Sequence, residues 1–251
     1  MDRFRLASLL AVLAVVAVLG TAVTAVAAYT QRDGSTPSSG GGGTPGPGEP
    51  SASRTVEKVH VFDDGQFVVG DRGDNALFEV PASAEGWSLE SSDTVVYYLD
   101  RQGDPAVGVN GPAVFRDGYC KKRSTSSNRG FVGFTRSATG MGARQANTDL
   151  AKEWVAAISL NEDLRTSSPH TPVRTTQVTL ADGSTAVRST SRITLSDPGP
   201  CDPPAVQLAI VSLDTGEAVA NLVMVRDLDA PGTLDDDLAE KILSTLRRAV
   251  A

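Results

Sequence analysis

Ala205–Arg226 reads AVQLAIVSLDTGEAVANLVMVR, two runs of β-forming residues joined by Asp214-Thr215-Gly216. So short a connection forces the two runs to pair antiparallel as a hairpin. Val206, Leu208 and Ile210 in the first run, with Val219, Leu222, Val223 and Val225 in the second, leave an apolar face that a further layer must cover. Upstream, Val173–Leu180 and Thr185–Leu195 read as two more strands turned at Asp182-Gly183. Four strands in succession therefore make a meander.

The covering layer is expected from the last residues of the chain, where Leu234, Leu238, Ile242, Leu246 and Ala249 recur at helical spacing. Thr233 reads as the cap. Asp235, Asp236 and Asp237 stand at the positive end of the helix dipole and Arg247 and Arg248 at the negative end, so the acidic triplet needs no metal to explain it. A second helical period spans Asn147–Leu160, with Leu150, Trp154, Ala157 and Ile158 on one face and Asn147 as its cap. Trp154 is expected to seat this helix on the sheet.

Nearer the N-terminus the pattern is strand-like: TVEKVHVF from Thr55, QFVV from Gln66, ALFEVP from Ala76, WSLE from Trp87 and TVVYYL from Thr94. Ala106–Val109, Ala113–Phe115 and FVGFTR from Phe131 continue the sheet. The fold class is α+β, an antiparallel sheet packed by helices, and residues 55–251 have the length and apolar content of one domain.

Before that domain the chain changes character twice. Tyr29–Arg54 is rich in Gly, Ser, Thr and Pro and is expected to be a disordered tether, too poor in apolar side chains to offset its ordering entropy. Leu6–Ala28, LASLLAVLAVVAVLGTAVTAVAA, is uncharged and long enough as a helix to cross a ~30 Å hydrocarbon core. Arg3 and Arg5 hold residues 1–5 as a cytoplasmic stub, so the domain lies outside the membrane. Ala25-Val26-Ala27 also reads as a cleavage site, and cleavage after Ala27 would release a secreted protein.

Of the chain's 23 Lys or Arg and 30 Asp or Glu, four and three precede Thr55, so Thr55–Ala251 carries 19 against 27, a net of −8. That balance and the outside location argue against nucleic acid as a partner. Cys120 and Cys201 both sit in loop-like sequence, and an oxidising compartment favours one disulfide between them. The alternative is two free thiols; a metal site would have to recruit His60 and His170.

Gly86-Trp87, Gly118-Tyr119-Cys120, Arg136-Ser137-Ala138 with Gly140, Trp154 and Ile242–Arg247 together resemble an actinobacterial family of membrane-anchored or secreted proteins with a domain of unknown function. With its order of elements, the chain from Pro81 to Ala251 resembles the PsbP-like and LpqN-like α/β/α sandwich. The resemblance implies a noncatalytic binding or assembly role and brings no active site or cofactor with it.

No G-x-S-x-G elbow, phosphate-binding glycine loop or S-x-x-K signature occurs. Arg72-Gly73-Asp74 spells an adhesion tripeptide, which chance in a turn explains. One asymmetry stands out: Arg116, Lys121, Lys122, Arg123, Arg129, Arg136 and Arg144 lie in a stretch with a single acid, Asp117. They are candidate contacts for an anionic envelope component or a protein partner, against the plainer reading of a solvated loop. Trp87 and Tyr119 are the aromatic candidates for a pocket. The function expected is a noncatalytic, membrane-tethered interaction module of the cell envelope; the alternative is an envelope hydrolase using carboxylates dispersed in the chain.

Overall fold

The C-terminal meander is the centre of the computed structural model, which describes residues 60–70, 75–120 and 127–249. Strands β9 (Ala205–Asp214) and β10 (Val219–Leu228) pair antiparallel from Val219 opposite Asp214 to Leu228 opposite Ala205. On the far side of β9 come β8 (Thr185–Thr194) and then β7 (Arg174–Thr179). On the other side of β10 come β6 (Gly130–Ala138) and β5 (Pro105–Phe115). The outer edge of β5 carries both β3 (Trp87–Leu89) and β4 (Val95–Leu99), which completes an eight-stranded antiparallel sheet.

The two runs expected at 106–109 and 113–115 are one strand. β5 keeps its course through a register shift between Asn110 and Ala113, where Gly111 takes φ +49° and Pro112 follows. Such a bulge bends a strand without ending it.

β9 and β10 are apolar on both faces, more than their hairpin pattern required. Ala209, Val211, Leu222 and Met224 pack with Phe78, Phe134, Trp87, Ile242 and Leu246 on one side. Leu208, Ile210, Val223 and Val225 pack with Leu150, Trp154, Val155 and Phe131 on the other. A sheet covered on both faces loses the polar alternation of a half-exposed one.

Helix α1 (Ala143–Ile158) supplies the second of these layers. It starts a turn earlier than its apolar period suggests, with Gly142 as its cap, and Asn147 lies inside it. The Asn147 side chain is fully buried and donates from Nδ2 to Val187 O at 3.1 Å, Ile210 O at 3.1 Å and Ser212 Oγ at 2.8 Å. Its value is therefore tertiary: it anchors the helix to two strands, and a cap residue could not reach them.

On the opposite face lies α2 (Asp236–Ser244). Asp235, not Thr233, is its cap, accepting from the Asp237 and Leu238 backbone N–H groups. Arg247 and Arg248 do not end the helix. They form β11 (Arg247–Arg248), paired with Leu77 and Ala76 of β2 (Ala76–Val80), because buried Leu246 draws the chain back into the core. With β1 (Gln66–Val69) these strands make a separate three-stranded sheet in the order β1, β2, β11.

Residues 60–62, expected within a strand, instead wrap a buried carboxylate. Glu79 accepts from Val61 N at 2.9 Å and Phe62 N at 3.2 Å, and shares a 3.0 Å hydrogen bond with His60 Nδ1. A Cβ at Gly65 would fall 1.8 Å from Glu79 Oε1, so this turn closes on glycine alone. The run 6–28, the tether 29–54 and the triplet Lys121, Lys122, Arg123 lie outside the described residues. Among the described residues no helix is long and apolar enough to cross a membrane.

Candidate functional site

Cys120 and Cys201 are joined as a disulfide, with Cα atoms 6.0 Å apart, clasping the segment after β5 to the β8–β9 connection. Beside it the Tyr119 hydroxyl donates to Cys201 O. The Arg129 guanidinium lies 3.9 Å from the centre of the Tyr119 ring, and its Nη1 donates to Asp227 Oδ2 at 2.9 Å. Both members of this ion pair are nearly buried. Burial lifts the Asp227 carboxyl above the usual carboxylate range despite Arg129, with the Asp202 charge adding to the rise. The half-buried Tyr98 has its phenol pushed up by desolvation first and by the Asp227 charge second.

Tyr98, Tyr119 and Asp227 wall a cleft of about 600 Å³ that also receives Glu162, Asp163, Asp197 and Asp202. Five carboxylates thus border one space. Asp227 is committed to Arg129, Asp202 to the Gly199 N–H at 2.9 Å, and Asp163 to the backbone N–H groups of Thr166 and Arg165. The last two bonds hold Asp163 below the ordinary range. Ser127, also in the wall, exchanges hydrogen bonds with the Cys120 backbone, so it is no activated nucleophile.

A second, wider groove of about 930 Å³ follows the C-terminal half of α1 and meets the first at Leu160, which lines both. Val107, Ala156, Ala157 and Pro169 give it an apolar floor, and Arg101, Arg136, Glu153 and His170 a charged or polar rim. Arg136 pairs with Glu153 across the rim. Ser168 donates to Asn161 Oδ1 at 2.7 Å and accepts from Ser196 N at 3.0 Å, so its hydroxyl is engaged within the fold.

The candidates from sequence are dispersed by this geometry. Trp87 is 2% exposed and stacks on Phe115 within the core, so it is no pocket wall, whereas Tyr119 does line the acidic cleft. Arg129 precedes β6 and Arg136 lies within it, roughly 23 Å away at strand spacing. They do not share a patch. Arg116 lies over the Phe115 ring at 5.4 Å and Arg144 is exposed on the first turn of α1. Sequence reasoning missed Asp227, Asp202 and the rim residue Arg101, and it weighed His170 only as a possible metal ligand. Of these only Asp202, next to Cys201, stood beside a residue already singled out. Among the described residues no three His, Cys, Asp or Glu side chains are placed to hold a metal.

No curated protein matches the chain. A family model described as Domain of unknown function (DUF8017) matches residues 58–251, a span that takes in β1 and β2 as well as everything after Pro81. The chain belongs to the DUF8017 family, a domain of unknown function.

Proposed function

We propose that this domain is a noncatalytic binding module of the cell envelope, held outside the membrane by Leu6–Ala28 and the tether that follows, and that the groove along α1 is where it binds. One observation supports this most: the groove joins an apolar floor to a rim of charged and polar side chains. Such a lining suits recognition of an extended peptide or small amphipathic ligand. The three-layer arrangement of α1, the eight-stranded sheet and α2 supports a PsbP-like or LpqN-like fold, and with it the actinobacterial kinship that the sequence motifs suggest.

The test is a bulky block at an exposed wall position that touches no core. Crosslinking in intact cells followed by mass spectrometry should capture a discrete envelope partner with the native chain and lose it with Ala156→Trp. Identical neighbours for both chains would defeat the proposal.

The acidic cleft favours one other reading, a hydrolase in which Asp227, its carboxyl lifted above the usual range by burial, serves as acid beside Asp202. That reading requires cleavage of an envelope polymer by the native chain and its loss in Asp202→Asn. The hydrogen bonds that already occupy both carboxylates weigh against it.

A further inference from the structure

The charges around the α1 groove cancel, although residues 55–251 as a whole are strongly acidic. The lining holds the acids Asp100 and Glu153 and the bases Arg101 and Arg136. A surface whose charges balance locally has no net field with which to steer or hold a charged partner.

Each of these charges already has a partner in the chain. Arg136 pairs with Glu153, and Arg101 Nη1 donates to Arg165 O at 2.7 Å. Asp100 Oδ1 accepts from Gln102 N at 2.8 Å and from Asp104 N at 3.0 Å. His170 donates from Nδ1 to Thr171 O at 3.1 Å. A charged group of a ligand seated here would lose water without finding a free counter-charge.

The floor fixes the other half of the chemistry. Ala106, Val107, Ala156, Ala157, Leu160 and Pro169 include no aromatic ring and nothing larger than Leu, beneath a space of about 930 Å³. Interfaces reach interior packing density by seating large side chains in such hollows, so the bulk has to come from the occupant. We propose that the groove takes an uncharged segment of a partner protein that brings its own large apolar side chains, of the Leu, Phe or Trp kind. This rests on the groove being the binding site. Beyond Leu160 the acidic cleft begins, which repels an acidic continuation of that segment.

Random heptapeptides displayed on phage are the probe, and the full chain in lipid nanodiscs is the target. Selection on the native chain, after depletion on Ala156→Trp, should enrich peptides rich in Leu, Phe or Trp and depleted of Asp, Glu, Lys and Arg by about threefold or more against the starting library. The affinity of the synthesised peptides should change less than about twofold when salt rises from about 0.05 to about 0.5 M, because no screened charge pair holds them. Ala156→Ser should keep that affinity, and Ala156→Asp should weaken it about tenfold or more by placing an unpaired carboxylate under the occupant. An unchanged melting temperature in Ala156→Asp separates loss of binding from loss of fold. Enriched peptides that carry charge, or affinities that collapse in salt, overturn the inference and leave the groove as the site. If no peptide prefers the native chain to Ala156→Trp, the site itself fails and the inference with it.

Discussion

Replacing Glu79 tests how the first described residues are held to the domain. Its carboxylate is completely buried and receives Val61 N, Phe62 N and His60 Nδ1 within 3.2 Å, with Arg247 Nη2 at 3.8 Å. A hydrogen bond to a charged group contributes about 1.5–3 kcal/mol, and a buried donor left without an acceptor costs about 1–3 kcal/mol. Glu79→Gln keeps the shape but turns an amide NH₂ toward donors, so a loss of about 3 kcal/mol is expected. Glu79→Leu also strips Arg247, 16% exposed, of its carboxylate and should cost about 3–5 kcal/mol. Urea unfolding followed by tryptophan fluorescence reads this directly, because both tryptophans of the chain, Trp87 and Trp154, are buried. With a slope near 3 kcal/mol per molar, the midpoint should fall by roughly 1 M for Gln and somewhat more for Leu. A Glu79→Leu loss below about 0.5 kcal/mol would refute the reasoning, since it would mean that the buried cluster does not couple residues 60–62 to β2.

Three other perturbations have definite outcomes. Cys120→Ser with Cys201→Ser opens a loop closed across 81 residues and should destabilise by about 4–5 kcal/mol on the chain-entropy model, and reductant should then have no further effect; a native chain whose melting temperature ignores reductant would contradict this. Asp227 has its folded pKa raised by burial, so the folded state holds its proton to higher pH than the unfolded chain does. The stability of the native chain relative to Asp227→Asn should accordingly be greatest below the unfolded pKa and decline as pH rises through the folded one, and a difference growing with pH would reverse the assignment. Trp154→Ala empties a fully buried site against Tyr98 and Phe131 and should cost about 3–5 kcal/mol in the same urea assay, so a loss under 1 kcal/mol would show that α1 is not seated through it.

The parts of this fold that sequence displays are those decided by neighbours along the chain. Asp182-Gly183 and Asp214-Thr215-Gly216 turn the meander where their composition says they should, and the strands between them follow from runs of β-formers. Distant partners decide the rest. Asn147 looks like a cap until the carbonyls of Val187 and Ile210 come within reach, and Arg247 looks like a helix end until β2 offers it a ladder. Glu79 is one acid in the run ALFEVP, with no sign in that run of the backbone it will hold. The sites were harder still. Arg129 and Asp227 are 98 residues apart, and the basic stretch that seemed to be one feature is drawn out along β6, where each described arginine has its own surroundings. Two side chains singled out for the same pocket, Trp87 and Tyr119, parted because an indole beside Phe115 is worth most in the core whereas a phenol can keep its hydroxyl on a loop carbonyl.

The claim that this is a binding domain working through the α1 groove is tested most directly by placing the photoreactive residue p-benzoylphenylalanine at Ala156, inside the groove, and separately at Thr176, on the opposite edge strand. After irradiation of intact cells, the account predicts one discrete adduct from position 156 and none of that mass from position 176. The same adducts from both positions, or none from 156, would contradict it.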